Sequence, residues 1–451
     1  MRGRIAAGAL SVALLAGGCA RHRAEGELGI DPQIAQEIAT IWAVDDHAHS
    51  MLAPPAEATD REFDALPVDS LEPESVPPAF RPDYPPLADA WKALWGFDGQ
   101  PPLDADGLQR LKEARDRVKR AQSGNFSNWV IDQAHIGTQV ANRVAMGTGV
   151  EPPRFRWVPY DDALLFPLNN SGLAAETPDR AKFFPLEEKV RARYLQAAGL
   201  RAVPATLDAY VATVVTPTLE RERAGGAIAV KFEVAYLRSL DFGDPAQAQA
   251  AAIYAKWAGK SGTAPDPAEY KDLQDYLFRA IAMECGRLGM AVHLHAMAGD
   301  GSYFGVAGVN PLLLEPVFND ARLRKTNFVL LHGGWPYERE TAALLEKPNV
   351  YTDLSSQDLL MPPRTEARWL REWLEWAPEK VLFGTDGYPF SEEMGWAEST
   401  WIANRQGREA LGIALTGMLQ DGEVSRGRAE EIARLVLRGN AERLYGFQGA
   451  K

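Results

Sequence analysis

The chain has 451 residues, 46% of them hydrophobic and 24% charged, with 48 Lys and Arg against 61 Asp and Glu for a formal net charge of −13. That length suits one large domain with insertions, or two domains. The acidic balance argues against nucleic acid and against an anionic membrane surface as partners.

The first residues read as an export signal. Arg2 and Arg4 precede an apolar run from Ile5 to Leu15, the charge and hydropathy order of a signal peptide. The run is too short for an ordinary membrane-spanning helix. It ends in Leu15-Ala-Gly-Gly-Cys19, which resembles a bacterial lipoprotein cleavage site. On that reading residues 1–18 are the signal, Cys19 is the lipidated residue, and 19–35 is a tether between a lipid anchor and the fold. The protein would then be exported and face the periplasm. The alternative is a plain signal cleaved near Ala20. With Cys19 lipidated, Cys285 is the one cysteine left, so no intrachain disulfide is expected. Cys285 sits in an apolar helical pattern and reads as a small core residue.

Eight short apolar, β-branched runs follow, near 41–46, 138–145, 155–160, 227–232, 290–295, 327–332, 349–354 and 380–385. Helical patterns separate most of them, which predicts parallel β/α units. Eight such units predict an α/β fold of the (β/α)8 TIM-barrel type over residues 36–451. One helix illustrates the pattern. Asp266-Pro267 supplies an N-cap and a first-turn proline. Leu273, Tyr276, Leu277, Ala280 and Ile281 then share a face, and Gly289 closes the helix. Residues 51–130 exceed what a barrel needs and follow its first strand. They are expected to form a cap over the active-site mouth, with Trp91, Trp95 and Phe97 covering it. A second helical insertion spans 185–225.

Metal-ligand residue types fall near the ends of five of the runs: His47 and His49, Lys231, His295, His332 and Asp386. Of seven histidines, five lie in these segments. Alternate residues of a strand share a side, so His47 and His49 can reach one ion together. Asp45 has the same parity and is expected to orient a histidine from one layer deeper. Imidazole suits zinc and other first-row ions. Asp386 can ligate and also accept a proton from water, and His332 either ligates or polarises a substrate carbonyl. Both are the candidate catalytic residues. The pair Gly333-Gly334 would let backbone come close to a ligand.

Lys231 has three readings: a carbamate that bridges two ions, a cation that holds a substrate anion, or a partner for Glu233. Tyr236, Arg238, Trp335, Tyr337 and Tyr388 stand just after strand ends and are candidate substrate contacts, with Arg238 the anchor for a carboxylate. His293 shares the parity of His295 and could touch substrate or metal. His135 reads as structural. No nucleophile elbow, Walker loop or dinucleotide fingerprint is present.

Three stretches carry a family resemblance: Asn327-Phe-Val-Leu-Leu-His-Gly-Gly-Trp-Pro336, Asn349-Val-Tyr-Thr-Asp-Leu-Ser355 and Lys380-Val-Leu-Phe-Gly-Thr-Asp386. The chain, from about residue 40 to its end, resembles the amidohydrolase superfamily. It is most similar to the amidohydrolase-related group whose members also occur fused to glutamine-synthetase-like domains. The resemblance implies a metal-bearing barrel and hydrolysis of an amide or related C–N bond. In two-metal branches a carboxylated lysine bridges the ions, and Lys231 falls where that lysine would. In single-metal branches the lysine is missing and the sixth-strand histidine is catalytic. The expected cofactor is a divalent ion, zinc foremost, in one or two copies. The expected partners are a small, carboxylate-bearing molecule and the membrane reached through the lipid, and a homo-oligomer is compatible with the chain. Rival readings are a metal-dependent decarboxylase or other lyase, and a binding lipoprotein without catalysis.

Overall fold

The computed structural model describes residues 29–68, 71, 77–260, 262–449 and 451. The signal sequence and Cys19 lie outside the described residues. The tether expected through residue 35 ends earlier. A helix runs from Pro32 to Thr40, capped by the Asp31 carboxylate on the Gln33 and Ile34 amides, and it buries Ile34 and Ile38. Among the described residues no helix is long and apolar enough to cross a membrane.

Eight strands form at the eight apolar runs: β1 Ala43–Ala48, β2 Ile136–Asn142, β3 Phe155–Val158, β4 Ala229–Phe232, β5 Ala291–His295, β6 Phe328–Leu331, β7 Val350–Asp353 and β8 Val381–Leu382. They make two parallel sheets, β1-β2-β3 and β4-β5-β6-β7-β8. The sheets touch at both edges. Parallel bridges pair Trp157 with Ala227 and Tyr160 with Lys231, and Ala48 with Gly387. Backbone bonds accompany them, from Lys231 N–H to the Pro159 carbonyl at 2.7 Å and from Asp46 N–H to the Phe383 carbonyl at 2.7 Å.

Between the strands lie two small apolar groups, one around Val44, Val329, Leu331 and Leu382, the other around Val140, Val158, Ala229 and Ala291. Tyr445 and Phe447 from the C-terminal segment pack against both. The larger cores lie outside the strands, where helices cover them.

The helix Pro267–Leu288 forms as its sequence signals require. The Asp266 carboxylate accepts from the Ala268 and Glu269 amides, and Gly289 takes the left-handed conformation at φ 67°. An N-cap of this kind is worth about 1 kcal/mol. Leu273, Leu277 and Ile281 are fully buried, and so is Cys285.

The segment after β1 does two different things. Its first part folds over the strand ends because the buried Arg143 guanidinium grips both Asp60 oxygens at 2.9 Å. That brings Asp64, Leu66 and Val68 to the strand C-termini. The later part does not cover the mouth. Trp91 donates to the Glu393 carbonyl at 2.9 Å and Trp95 to Glu398 Oε1 at 2.6 Å, so both rings pack on or beside the helix Trp396–Gln420. Phe97 lies against Trp91. Tryptophan carries a large apolar area together with one N–H, and here each ring meets a buried face and an acceptor on the outer helical layer.

Candidate metal centre

Strand β1 changes register between Asp45 and Ala48. Such irregularities re-aim side chains, and this one breaks the alternation expected from spacing. Asp46 turns inward, where Tyr445 donates to its Oδ1 at 2.6 Å. His47 also turns inward. Asp45 does not reach an imidazole. It accepts from Gln139 Nε2 at 2.7 Å and from the Thr385 N–H and hydroxyl at 2.8 and 2.7 Å.

His47 Nε2 lies 3.1 Å and His49 Nε2 3.3 Å from the same Asp386 oxygen. Three ligands on one tetrahedral zinc, each about 2.0–2.2 Å from it, would stand roughly 3.3 Å apart. The far nitrogens are engaged. His49 Nδ1–H donates to the Phe63 carbonyl at 2.9 Å, which leaves Nε2 bare toward Asp386. His47 Nδ1 is 2.6 Å from Asn142 Nδ2, while Asn142 Oδ1 has no partner, so the amide is better turned to put its oxygen on the ring. With that oxygen on the ring, Nδ1–H donates and Nε2 is bare here too.

His332 and His295 complete a cluster of four imidazoles. Ring centroids are 5.0 Å apart for His47 and His332, and 4.8 Å for His295 and His332. The Ser355 hydroxyl holds His332 Nδ1 at 2.8 Å, and the His332 amide donates to Asp353 at 2.6 Å. His295 Nε2–H donates to the Met297 carbonyl at 2.9 Å. Lys231 Nζ is 3.2 Å from His47 Nε2 and almost fully buried.

The electrostatics favour a cation here. Burial, reinforced by Lys231, pushes His47 and His295 down to about 3, and burial holds His332 well below the usual histidine range. Burial alone would raise the Asp386 carboxyl. The neighbouring histidines, His332 first and then His47 and His49, outweigh it and hold Asp386 well below the usual carboxylate range. Neutral imidazoles around an ionised carboxylate make a ligand set, and such ligands must be deprotonated to bind. His332 and Asp386 both have positive φ, 66° and 49°, a region that costs a non-glycine residue energy and tends to occur at functional sites.

The residues beside this centre enclose a cavity of about 40 Å³. Tyr236, Tyr388 and Phe390 line it together with His49, Lys231, His295, His332 and Asp386 and with the acids Asp64, Glu233 and Asp300. Of the residues expected to contact substrate, Tyr236 and Tyr388 line this cavity. Arg238 does not. Its guanidinium donates to Asp275 at 2.7 Å, to Gln274 at 2.9 Å and to the Asp241 carbonyl at 2.8 Å, and it stacks over Phe242. Trp335 and Tyr337 are also outside the lining. The Trp335 carbonyl accepts from Ala298, and Tyr337 packs into the outer core. His293 points inward but one layer deeper, with Nε2 2.7 Å from the Tyr445 hydroxyl. Gly333 and Gly334 approach the protein itself. A Cβ on Gly333 would lie 2.3 Å from Trp373 and 2.4 Å from Gln357.

Asp64 was missed because nothing in its acidic, proline-rich surroundings marks it. Asn142 had a signal, a polar residue within an apolar run predicted to be a strand. Asp64, Glu233 and His49 offer atoms within 4.8 Å of one another. They do not form a second centre like the first, because the His49 nitrogen facing Asp64 carries the proton donated to Phe63.

Residues 168–447 match the family model described as Amidohydrolase. The chain belongs to the amidohydrolase family, a class of metal-dependent hydrolases. It is 31% identical over 199 residues to Protein fluG of Emericella nidulans, an alignment covering 43% of this chain and 22% of that protein. Two solved structures are similar in fold. Uronate isomerase from Thermotoga maritima matches with a TM-score of 0.64 at 12% identity, over 94% of this chain and 100% of that one. A provisionally assigned metal-dependent hydrolase from Lactobacillus casei matches with a TM-score of 0.59 at 17% identity, over 93% and 98%.

Proposed function

We propose that the chain is a (β/α)8-barrel hydrolase that cleaves an amide or other C–N bond in a small substrate, with zinc held by His47, His49 and Asp386. His295, His332 and Lys231 stand around the same centre. The observation that carries this reading is the convergence of two Nε2 atoms on one Asp386 oxygen at 3.1 and 3.3 Å. A divalent ion held there would polarise a carbonyl and lower the pKa of water to about 7.

The chain's own residues do the rest. Asp386, ionised and only partly exposed, accepts a proton from attacking water and returns it to the leaving nitrogen. His332, fixed by Ser355 and Asp353, stands beside it to hydrogen-bond the substrate carbonyl. Tyr236, Tyr388 and Phe390 exclude bulk water from the cavity. With Arg238 bound to Asp275, the lining supplies no arginine among the described residues for a substrate carboxylate.

The test joins metal analysis to a screen of small amides in ¹⁸O-water. Wild type should retain zinc through gel filtration and incorporate ¹⁸O into the acid product. His47→Ala, His49→Ala and Asp386→Ala should each lose the metal. Full retention of zinc in all three variants would remove this centre. Turnover without ¹⁸O incorporation would favour a lyase.

A further inference from the structure

The acids that line the cavity beside the metal centre have a chemistry of their own. Asp64 and Glu233 are each about 5% exposed. Their carboxylates and the His49 ring offer atoms within 4.8 Å of one another. Glu233 Oε2 is buried and has no hydrogen-bond partner. Burial and the neighbouring Asp64 raise the Glu233 carboxyl well above the usual carboxylate range. Leaving a buried carboxyl oxygen unpaired is costly, so this oxygen calls for a donor that the described residues do not supply. Lys231 is the nearest cation, but its Nζ stands 3.9 Å from Glu233 Oε1, beyond hydrogen-bond distance.

Both acids are held in place from behind. Asp64 Oδ1 accepts from the Leu66 amide at 3.0 Å, and the Glu233 amide donates to Asp162 at 2.9 Å. Tyr236, Tyr388 and Phe390 supply aromatic faces beside them, and such faces favour cations. A metal ion is a poor occupant, because the nearest imidazole nitrogen is a donor to Phe63.

We infer that Asp64 and Glu233 form a subsite for a substrate ammonium group, so that the substrate is a small amide carrying a free amine near the scissile carbonyl. The position of the scissile bond rests on the metal-hydrolase reading, though the subsite itself does not require metal. His49 spans the two sites: its Nε2 faces Asp386 and its Nδ1 lies 3.8 Å from Asp64. An ammonium between the two acids therefore stands within a few bonds of a carbonyl at the metal centre. Its N–H groups donate to Glu233 Oε2 and to Asp64 Oδ2, the oxygen not bonded to Leu66.

The experiment compares L-alaninamide with propionamide, which differ by the ammonium alone. Both are titrated calorimetrically near neutral pH into zinc-loaded and metal-free protein. Alaninamide should bind at least ~10-fold tighter in both forms, the factor a charge-assisted pair supports. Asp64→Asn and Glu233→Gln should each abolish most of that preference while zinc content stays at the wild-type level. Equal affinities, or no detectable alaninamide binding, overturn the subsite. Loss of zinc from either variant also overturns it, by showing that the acids hold an ion. A wild type that never binds zinc but prefers alaninamide rejects the metal reading and leaves the subsite standing.

Discussion

Asp45 accepts both the backbone N–H and the hydroxyl of Thr385, at 2.8 and 2.7 Å. Strand β1 thereby grips the residue just before Asp386, and the Asp386 amide in turn donates to the His47 carbonyl at 2.8 Å. The histidines and the carboxylate of the metal centre are therefore registered through one buried carboxyl. Burial raises the Asp45 carboxyl to about 7 against the pull of these hydrogen bonds.

Asp45→Ala should cost about 2–4 kcal/mol, because Gln139 and Thr385 lose a buried acceptor. Zinc affinity should fall about 10–100-fold, as when outer partners of metal ligands are removed. Urea unfolding of the metal-free protein and zinc competition titration measure the two effects separately. Unchanged zinc affinity would mean that Asp386 is positioned by the His47 backbone alone.

Lys231 separates one ion from two. As a carbamate it would bridge two ions ~3.5–4 Å apart. Lys231→Ala should then lose about one equivalent of metal, and short carboxylic acids should restore part of it. An unmodified ammonium would predict the same single equivalent in both proteins. Metal analysis with intact-mass spectrometry of Lys231 decides between them.

Gly333 has φ 63° and no room for a side chain. Gly333→Ala should destabilise the fold by about 2 kcal/mol or more, from overpacking and backbone strain together. Because His332 precedes it, zinc binding should weaken as well. A variant with wild-type thermal midpoint would mean that Trp373 and Gln357 yield freely.

The buried histidines set an acid limit on the metal-free protein. His295 titrates near 6.5 when unfolded and is pushed down to about 3 in the fold, chiefly by burial. Between those values the unfolded chain binds a proton that the native state refuses, so stability falls as pH drops from about 6.5 to 3. His295→Gln should flatten that fall by up to about 1.4 kcal/mol per pH unit. The comparison must be between the two proteins, since burial also raises Asp45 and Asp353 to about 7 and they act in the opposite sense. Parallel stability curves for the two proteins would show that His295 protonates freely.

The sequence by itself determined the strands and which side chains gather at their ends. The eight apolar runs became β1 to β8 within a few residues, because a buried parallel strand needs little beyond local β-branched, apolar content. His47, His49 and Asp386 were legible for a related reason: they end or follow strands, and parallel strands end on the same side. Only the tertiary structure decided which polar groups meet. The register change in β1 sent Asp45 to Thr385 instead of to an imidazole. Arg238 stands just past β4, but Asp275 on a following helix captured it. Trp91 and Trp95 found acceptors on the helix Trp396–Gln420, far along the chain. Asp64 reached the cavity because Arg143 pulls Asp60 across the strand ends. Each outcome depends on a partner tens to hundreds of residues away, and a buried charge or N–H takes whichever partner the packed fold brings within about 3 Å.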